Sequence, residues 1–284
     1  MARVGIVTDS TCDIHPSELA AMGVRLVPLK VLIGDESFLD WIEMMPEEFY
    51  RRLGSSPVLP KTSQPSPAEF LTVYRELAEE GCDSIVSIHL TAELSGTIAS
   101  ASMAECDSPI PVHVVDTKKV SQALGLVVAA ACEARDAGGD GATVAARARE
   151  VSKAMRLYFV LNTLDYLVKG GRAGKAQGLA ASLLNIKPVL DMNADGIIEP
   201  FKKVKGRKKA LAELAAHVAE ESRQYGKMRV ALLHACNDDE GGDLRAELVA
   251  SGADIDIVAV GLVGAVVGTY AGPGAVGCAY YPIG

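Results

Sequence analysis

The first half of the chain alternates between short apolar runs and segments with helical spacing. Apolar runs that are typical of buried strands cover 4–7, 24–33, 84–90 and 112–115. Helical spacing lies between and after them, near 67–80, 97–105, 121–136 and 140–155. Because strands that alternate with helices favour a parallel sheet with helices on its faces, this half predicts an α/β unit.

The pattern changes after residue 155. Strands are predicted at 158–161, 187–192, 197–204, 228–235 and 255–260, and the turn Asn193-Ala194-Asp195-Gly196 joins two of them directly. Direct turns imply antiparallel pairing. We therefore expect an α/β protein with two lobes. The N-terminal lobe, 1–155, has a mostly parallel sheet, and the C-terminal α+β lobe, 156–284, has a largely antiparallel one. The cleft between them is the expected ligand site.

Residues 257–284 carry no charge, since the last charged residue is Asp256. An uncharged stretch of this length raises the possibility of a membrane anchor. Gly272-Pro273-Gly274 interrupts it, however, and the apolar part before this break is short enough to be a buried core segment. The N-terminus has no apolar stretch of signal-peptide length. The expected location is therefore the cytoplasm.

Charge and cysteine usage disfavour several classes of function. The chain has 28 Lys and Arg against 36 Asp and Glu, a formal net charge of −8, which argues against nucleic acid or an anionic membrane as a stable partner. The six cysteines are scattered along the sequence and do not cluster with histidines. Neither a disulfide framework nor a metal site is expected.

Matches to known nucleotide-binding and catalytic motifs are incomplete in this sequence. The glycines from Gly272 to Gly277 match a dinucleotide-binding spacing, but only seven residues follow, too few for the helix and strand that such a site requires. Gly174-Lys175 lacks the glycine of a phosphate-binding loop at position 169, which is a lysine. Ser95 lacks the first glycine of a nucleophile elbow, and His89 lies within an apolar strand, as a core histidine would.

Three polar segments remain as candidates for binding. Thr62-Ser63 lies in a loop that the prolines around it hold extended. The segment Thr91–Thr97 follows a predicted strand and brings Ser95 to the start of a helix, where free N–H groups suit an anion. Lys169–Lys175 combines glycines with Arg172, whose guanidinium can pair with a carboxylate or phosphate.

Taken together, these and other short motifs resemble the DegV family over essentially the whole chain. The motifs are Val4–Ser10, the Thr-Ser-x-Pro-Ser box at 62–66, Leu94–Thr97, Val115-Asp116-Thr117, Gly170-Gly171-Arg172, Ile186-Lys187-Pro188 and Gly272-Pro-Gly-Ala. The resemblance implies a bacterial lipid carrier rather than an enzyme, with one long-chain fatty acid such as palmitate in a tunnel and no cofactor. It also implies a separate ATP-dependent kinase that phosphorylates the carboxylate. The acyl phosphate would then pass to phospholipid synthesis during transient membrane contact.

The resemblance further implies which residues hold the lipid. Head-group contacts fall on Thr62, with Ser63 beside it, and on Ser95 with Gly96, while Arg172 matches an arginine near the transferred phosphate. The family commonly has His-Thr before Gly-Pro-Gly, whereas this chain has Tyr270-Ala271. A phenol still donates a hydrogen bond to a carboxylate but lacks the cationic character of histidine near neutral pH. Fatty acid binding should therefore be retained with Tyr270 in place of histidine. The property that this difference should affect is competence as a kinase substrate.

The residues alone leave other functions open. Ser95 or Arg172 could serve a phosphotransferase or hydrolase on a small phosphorylated substrate, or the chain could be a lipid sensor that regulates a partner. A separate feature is the stretch 202–209, which holds six positive charges in an otherwise acidic protein. It is either a solvated turn or a surface that meets phosphates or an acidic kinase partner.

Overall fold

The protein is described here by a computed structural model, which covers residues 2–56, 58–182, 187–236 and 238–283. Ile186, part of one sequence motif, lies outside the described residues. The strands are β1 (Val4–Asp9), β2 (Val24–Val27), β3 (Lys30–Ile33), β4 (Glu36–Leu39), β5 (Lys61–Ser63), β6 (Ser84–His89), β7 (Val112–Asp116), β8 (Arg156–Val160), β9 (Lys187–Met192), β10 (Ile198–Val204), β11 (Met228–His234), β12 (Ile255–Leu262) and β13 (Val276–Pro282).

The helices connect these strands and cover the sheets. They are α1 (Pro16–Ala21), α2 (Pro46–Ser55), α3 (Pro67–Glu79), α4 (Thr97–Cys106), α5 (Gln122–Asp136), α6 (Gly141–Ala154), α7 (Asp165–Lys169), α8 (Arg207–Tyr225), α9 (Asp238–Ala250) and α10 (Ala265–Ala271). Short 3-10 segments occupy Ser10–Cys12 and Gly174–Ser182. Local sequence sets several helix starts: Ser66 and Glu69 form a reciprocal capping box on α3, and Asp140 caps α6.

The predicted parallel sheet is confirmed. Its four strands are ordered β2-β1-β6-β7, and all neighbours run parallel. All six residues of β1 are buried because helices cover both faces of the sheet. Helices α3 and α4 pack on one face around Phe70 and Tyr74, while α5 and α6 lie on the other.

The predicted antiparallel sheet is also confirmed, with one parallel pair. Its six strands are ordered β10-β9-β8-β13-β11-β12, and only β11 and β12 run parallel. Side chains alternate between two apolar cores: Tyr158, Leu232 and Cys278 pack with α8 and α9, whereas Leu157 and Leu233 face α5 and the rest of the molecule. Because side chains alternate along each strand, this six-stranded sheet packs against α8 and α9 on one face and against α5 on the other.

The prediction of a single strand at 24–33 is wrong. Pro28 has no N–H to donate to a ladder, and the chain changes sheets there, so β2 belongs to the parallel sheet and β3 to a small antiparallel sheet ordered β4-β3-β5. The Leu29 amide donates instead to the Ser10 hydroxyl at 3.1 Å. The proline-flanked loop expected near Thr62 contains strand β5, which pairs with β3.

The uncharged tail contributes to the sheet as well as to the core. Strand β13, which the hydrophobic pattern did not reveal, lies between β8 and β11. Strand β12 is an edge strand, and its Val258 and Val260 are 47% and 49% exposed. Across the described ranges, we find no helix with both the length and the apolar character needed to span a bilayer.

Candidate functional site

A cavity of about 310 Å3 lies where the two larger sheets meet. The loops that follow the carboxyl ends of β1, β6 and β7 form part of its wall, which is the usual ligand position in parallel α/β sheets. The antiparallel sheet and helix α10 complete the wall. Most of the lining is aliphatic or aromatic, including Leu29, Leu90, Val120, Leu157, Phe159, Leu161, Leu167, Met192, Ile198, Leu233, Val263, Val266 and Val267.

Five of the six sequence-predicted binding residues line this one cavity. They are Thr62, Ser63, Ser95, Arg172 and Tyr270, which come from four distant parts of the chain. The hydroxyls of Thr62 and Tyr270 are 2.6 Å apart and share a hydrogen bond, and the Arg172 guanidinium lies 5.0 Å from the centre of the Tyr270 ring. The structure therefore joins a hydroxyl, a phenol and a cation into one polar cluster on an otherwise apolar cavity.

Backbone contacts fix the orientation of Arg172. Its Nη1 donates to the Gly170 carbonyl at 2.9 Å, and its Nε donates to the Leu94 carbonyl at 3.3 Å, beside Ser95. A Cβ on Gly170 would lie 2.5 Å from Cδ1 of Tyr270. Glycine at 170 is thus what allows the Tyr270 ring to approach the backbone beneath the guanidinium.

Ser95 lies at the start of α4, as the sequence predicts. Its hydroxyl accepts from the Thr97 amide at 3.3 Å and is 2.9 Å from the Thr97 hydroxyl, the contacts of a local cap. These are the hydrogen bonds of its side chain within the described part of the chain. Gly96, the sixth predicted residue, does not line the cavity. A Cβ there would overlap the Gln64 carboxamide, and Gln64 itself lines the cavity although sequence reasoning missed it.

Two further polar residues of the wall, Thr11 and Ser121, were not predicted. The Thr11 hydroxyl donates to Asp9 at 2.5 Å, and Asp9 also accepts the Leu90 amide at 3.1 Å and lies 3.0 Å from Nδ1 of His89. His89 is fully buried, as expected of a core histidine. The position of Thr11 after the first parallel strand was a signal for the site; nothing local marked Ser121.

A buried pair of carboxyl groups supports the wall behind Ser121. Asp13 accepts the Ser121 hydroxyl at 2.5 Å and the Gly264 amide at 2.9 Å, while Asp40 accepts the Ala265 amide at 3.0 Å. These bonds fasten the start of α10 to the N-terminal half of the chain. Burial raises the pKa of Asp13 to about 7. Burial, together with the nearby Asp13 charge, raises the pKa of Asp40 to about 8.

Backbone strain accompanies this carboxyl pair. Asp13, Trp41 and Ser121 have φ values of 53°, 64° and 58°, a region that non-glycine residues rarely adopt. The other two residues both contact the Asp13 carboxylate: Nε1 of Trp41 lies 3.4 Å from it, and the Ser121 hydroxyl donates to it. The hydrogen bonds to this one carboxyl group offset the strain.

In the basic stretch 202–209, some cations contact other residues of the chain and others are exposed without an ion pair among the described residues. Lys202 pairs with Glu213 at 2.5 Å, and Arg207 donates to the Asn162 side chain at 2.9 Å and to the Gly274 carbonyl. Lys203, Lys205, Lys208 and Lys209 are exposed, and none of them has an ion pair within 4.0 Å among the described residues. Four of the six cations of this stretch are therefore exposed, without an ion pair in the described part of the chain.

Comparison with known proteins identifies the family. The family model described as an uncharacterised protein of the DegV family matches residues 3–283. The chain belongs to the DegV family. A DegV domain-containing protein from Deinococcus radiodurans is 40% identical over 282 residues, which is 99% of each chain.

Solved DegV structures share the fold throughout. A DegV protein from Thermus thermophilus, described by its fatty acid binding, has a TM-score of 0.93 and 35% identity over 99% of this chain and 100% of its own. DegV from Bacillus subtilis, described as a fatty acid binding protein, has a TM-score of 0.90 and 30% identity, with 100% of both chains covered. The DegV motifs around Thr62, Ser95 and Arg172 meet at the cavity described above.

We expect the stability of this DegV protein to fall as pH rises, because Asp13 and Asp40 bind protons when folded at pH values where the unfolded chain has lost them. The raised pKa values place this effect between about pH 4 and pH 8. Asp40→Asn keeps an acceptor for the α10 amides and removes one titration, so the pH dependence should decrease by up to about 1.4 kcal/mol per pH unit.

Urea unfolding at pH 5, 6, 7 and 8 measures this effect. Asp35→Asn, at an exposed position, is the matched control and should keep the parental profile. Parallel profiles for Asp40→Asn and the parent would show that the Asp40 carboxyl does not titrate differently on folding.

Proposed function

We propose that this DegV protein binds one long-chain fatty acid, with the carboxylate at the polar cluster of Thr62, Ser95, Arg172 and Tyr270 and the tail in the apolar cavity. The observation that carries the proposal is the junction of these two surfaces in a single cavity. One end offers hydroxyl donors and a cation, which suit a carboxylate. The aliphatic and aromatic side chains that form most of the remaining wall suit a hydrocarbon. The fatty acid binding named for the Thermus and Bacillus proteins supports the same ligand.

Burial of the tail would dominate the affinity. Each buried methylene contributes roughly 0.8 kcal/mol, so about 14 of them give about 11 kcal/mol before the cost of ordering the ligand. A hydrogen bond to a charged head group contributes about 1.5–3 kcal/mol. The polar cluster therefore determines mainly which end of the lipid lies beside Arg172.

The proposal extends to presentation of the carboxylate to an ATP-dependent kinase, which forms an acyl phosphate for phospholipid synthesis. Ser63 and Gln64, which line the cavity next to Thr62 in the chain, are exposed, so a partner enzyme can approach this end of the cavity. Arg172 would stabilise charge on the transferred phosphate. In this proposal the protein acts in the cytoplasm, contacts membrane only transiently, and has lobes 1–155 and 156–284.

The fatty acid itself is the first test. Native mass spectrometry of the purified protein, followed by lipid extraction, should find one fatty acid per chain. Val267→Trp fills the cavity wall and should abolish co-purification, whereas Val260→Trp, on the exposed edge of β12, should leave it unchanged. An empty cavity together with turnover of phosphate esters would favour a hydrolase or phosphotransferase. Regulation of a partner by lipid without any phosphorylation would favour a sensor.

Ser95→Ala should separate retention of the lipid from its phosphorylation. Loss of one hydrogen bond to a charged head group should weaken fatty acid binding about tenfold, while misplacement of the carboxylate should slow kinase-coupled acyl phosphate formation about 100-fold. Fatty acid binding is measured by displacement of a fluorescent fatty acid. Phosphoryl transfer is measured with labelled ATP. Ser102→Ala, on the same helix but not lining the cavity, is the control. Equal transfer rates for Ser95→Ala and the parent would contradict this assignment.

The free cations of the basic stretch are proposed to contact an acidic surface of the kinase. Charge reversal at Lys203, Lys205 and Lys208 should weaken complex formation at least tenfold at low salt and reduce its dependence on salt concentration. Fatty acid binding should not change, because these side chains do not line the cavity. Surface plasmon resonance at 50 and 300 mM NaCl measures the affinity for the kinase and its dependence on salt. An unchanged affinity and salt slope would exclude this surface from the complex.

A further inference from the structure

A second concave site lies on the other side of Met192 from the lipid cavity. It is a groove of about 780 Å3 bounded by α6, the end of β7, the start of β8 and the turn between β9 and β10. Met192 is the residue that lines both spaces, so the groove is separate from the cluster around Arg172.

The groove is basic although the protein is acidic. Five cationic side chains line it, an excess of three positive charges over its two carboxylates, in a chain whose net charge is −8. The cations are Lys118, Lys119, Arg149, Lys153 and Arg156, and the carboxylates are Asp116 and Asp191. Like charges at this density repel one another, which favours an anion between them.

The existing contacts neutralise only part of this charge. Lys118 pairs with Asp116 at 2.7 Å, and Arg156 is 3.7 Å from Glu221. Arg149 donates to the Val114 carbonyl at 3.3 Å. Neither Arg149 nor Lys153 has a carboxylate within 4.0 Å in the described part of the chain, and both are exposed. Both are therefore available to a ligand.

Lys119 is the most unusual member of the groove. Its residue is 3% exposed, and its ammonium donates to the carbonyls of Met192 at 2.8 Å and Asn193 at 3.1 Å, with no carboxylate within 4.0 Å among the described residues. An ammonium has three donors, so one remains beyond these two bonds. Burial lowers the pKa of Lys119 to about 8 and raises that of Asp191 to about 6. Asp191 attracts Lys119 only from beyond 4.0 Å. A buried cation with no carboxylate in contact is costly, and a bound anion would relieve that cost.

We propose that this groove is a second ligand site, for the phosphate group of a small molecule. Arginine and lysine together match the charge and donor geometry of a phosphate. A concave groove that ends at a nearly buried ammonium admits a small ligand more readily than a flat protein or membrane surface. The net charge of −8 on the whole chain also disfavours nucleic acid, which would extend beyond the groove onto an acidic protein.

Inorganic pyrophosphate is the probe for this site. At constant ionic strength, set with NaCl, saturating pyrophosphate should raise the midpoint of thermal unfolding by about 3 °C. The double variant Arg149→Ala with Lys153→Ala should lose this rise. Arg223→Ala with Lys227→Ala removes the same two charge types from exposed positions outside the groove and should retain it.

Asp191→Asn gives a test in the opposite direction. It removes an anion that faces the bound phosphate, so it should tighten pyrophosphate binding several-fold in isothermal titration calorimetry. Absence of binding to the parent, or an equal response from both double variants, would overturn the proposal. A further result would also overturn the proposal: the protein sediments with phosphatidylglycerol vesicles only when Arg149 and Lys153 are present, and it does not bind pyrophosphate. That result would assign the groove to a lipid head group. None of these outcomes depends on the fatty acid cavity being occupied.

Discussion

Burial of α5 on nearly every side is the constraint on which the molecule depends. Its residues Leu124, Val127 and Val128 are inaccessible to solvent, and the helix contacts β1 and β6 of one sheet and β11 and β13 of the other. The part of α5 from 123 to 132 is apolar on all sides, and a helical segment of this kind must be buried. Because α5 occupies the space between the sheets, the sheets can meet closely only beyond its N-terminal end, where Val120 and Ser121 line the cavity. The cavity is thus the part of the interlayer space that this helix does not fill.

The two kinds of wall have different physical origins. The hydrocarbon-like wall comes from ordinary inward-facing strand positions such as Leu157 and Leu233. The polar cluster comes from segments far apart in the chain: Thr62 and Tyr270 are separated by 208 residues, yet their hydroxyls share a hydrogen bond. The Gly264 amide donates to Asp13 and the Ala265 amide donates to Asp40 at the start of α10, and these bonds hold Tyr270 in reach of this partner. Two buried carboxyl groups outside the cavity thus help to organise it.

Local patterns were sufficient to predict most elements, and motifs were sufficient for most of the candidate site. Helix α6 was recognisable from its apolar face, and the β9–β10 hairpin from its Asn-Ala-Asp-Gly turn. Strand β13 was not recognisable, because both of its faces are buried and its Gly277-Cys278-Ala279 run shows no alternation of apolar and polar residues. The break at Pro28 could have been predicted from the missing donor. Ser121 could not, since its role depends on Asp13, 108 residues away.

The place of β13 in the sheet has a consequence for synthesis of the protein. Strands β8 to β10 and strands β11 to β12 form two separate pieces of sheet until β13 enters between them. Since β13 follows all of these in the chain, the ribosome has released every other strand before the sheet can become continuous. A nascent chain that lacks it cannot hold Leu157 of β8 and Leu233 of β11, which both line the cavity, in one sheet. The order of the strands alone therefore makes the joining of these two wall segments a late event in synthesis.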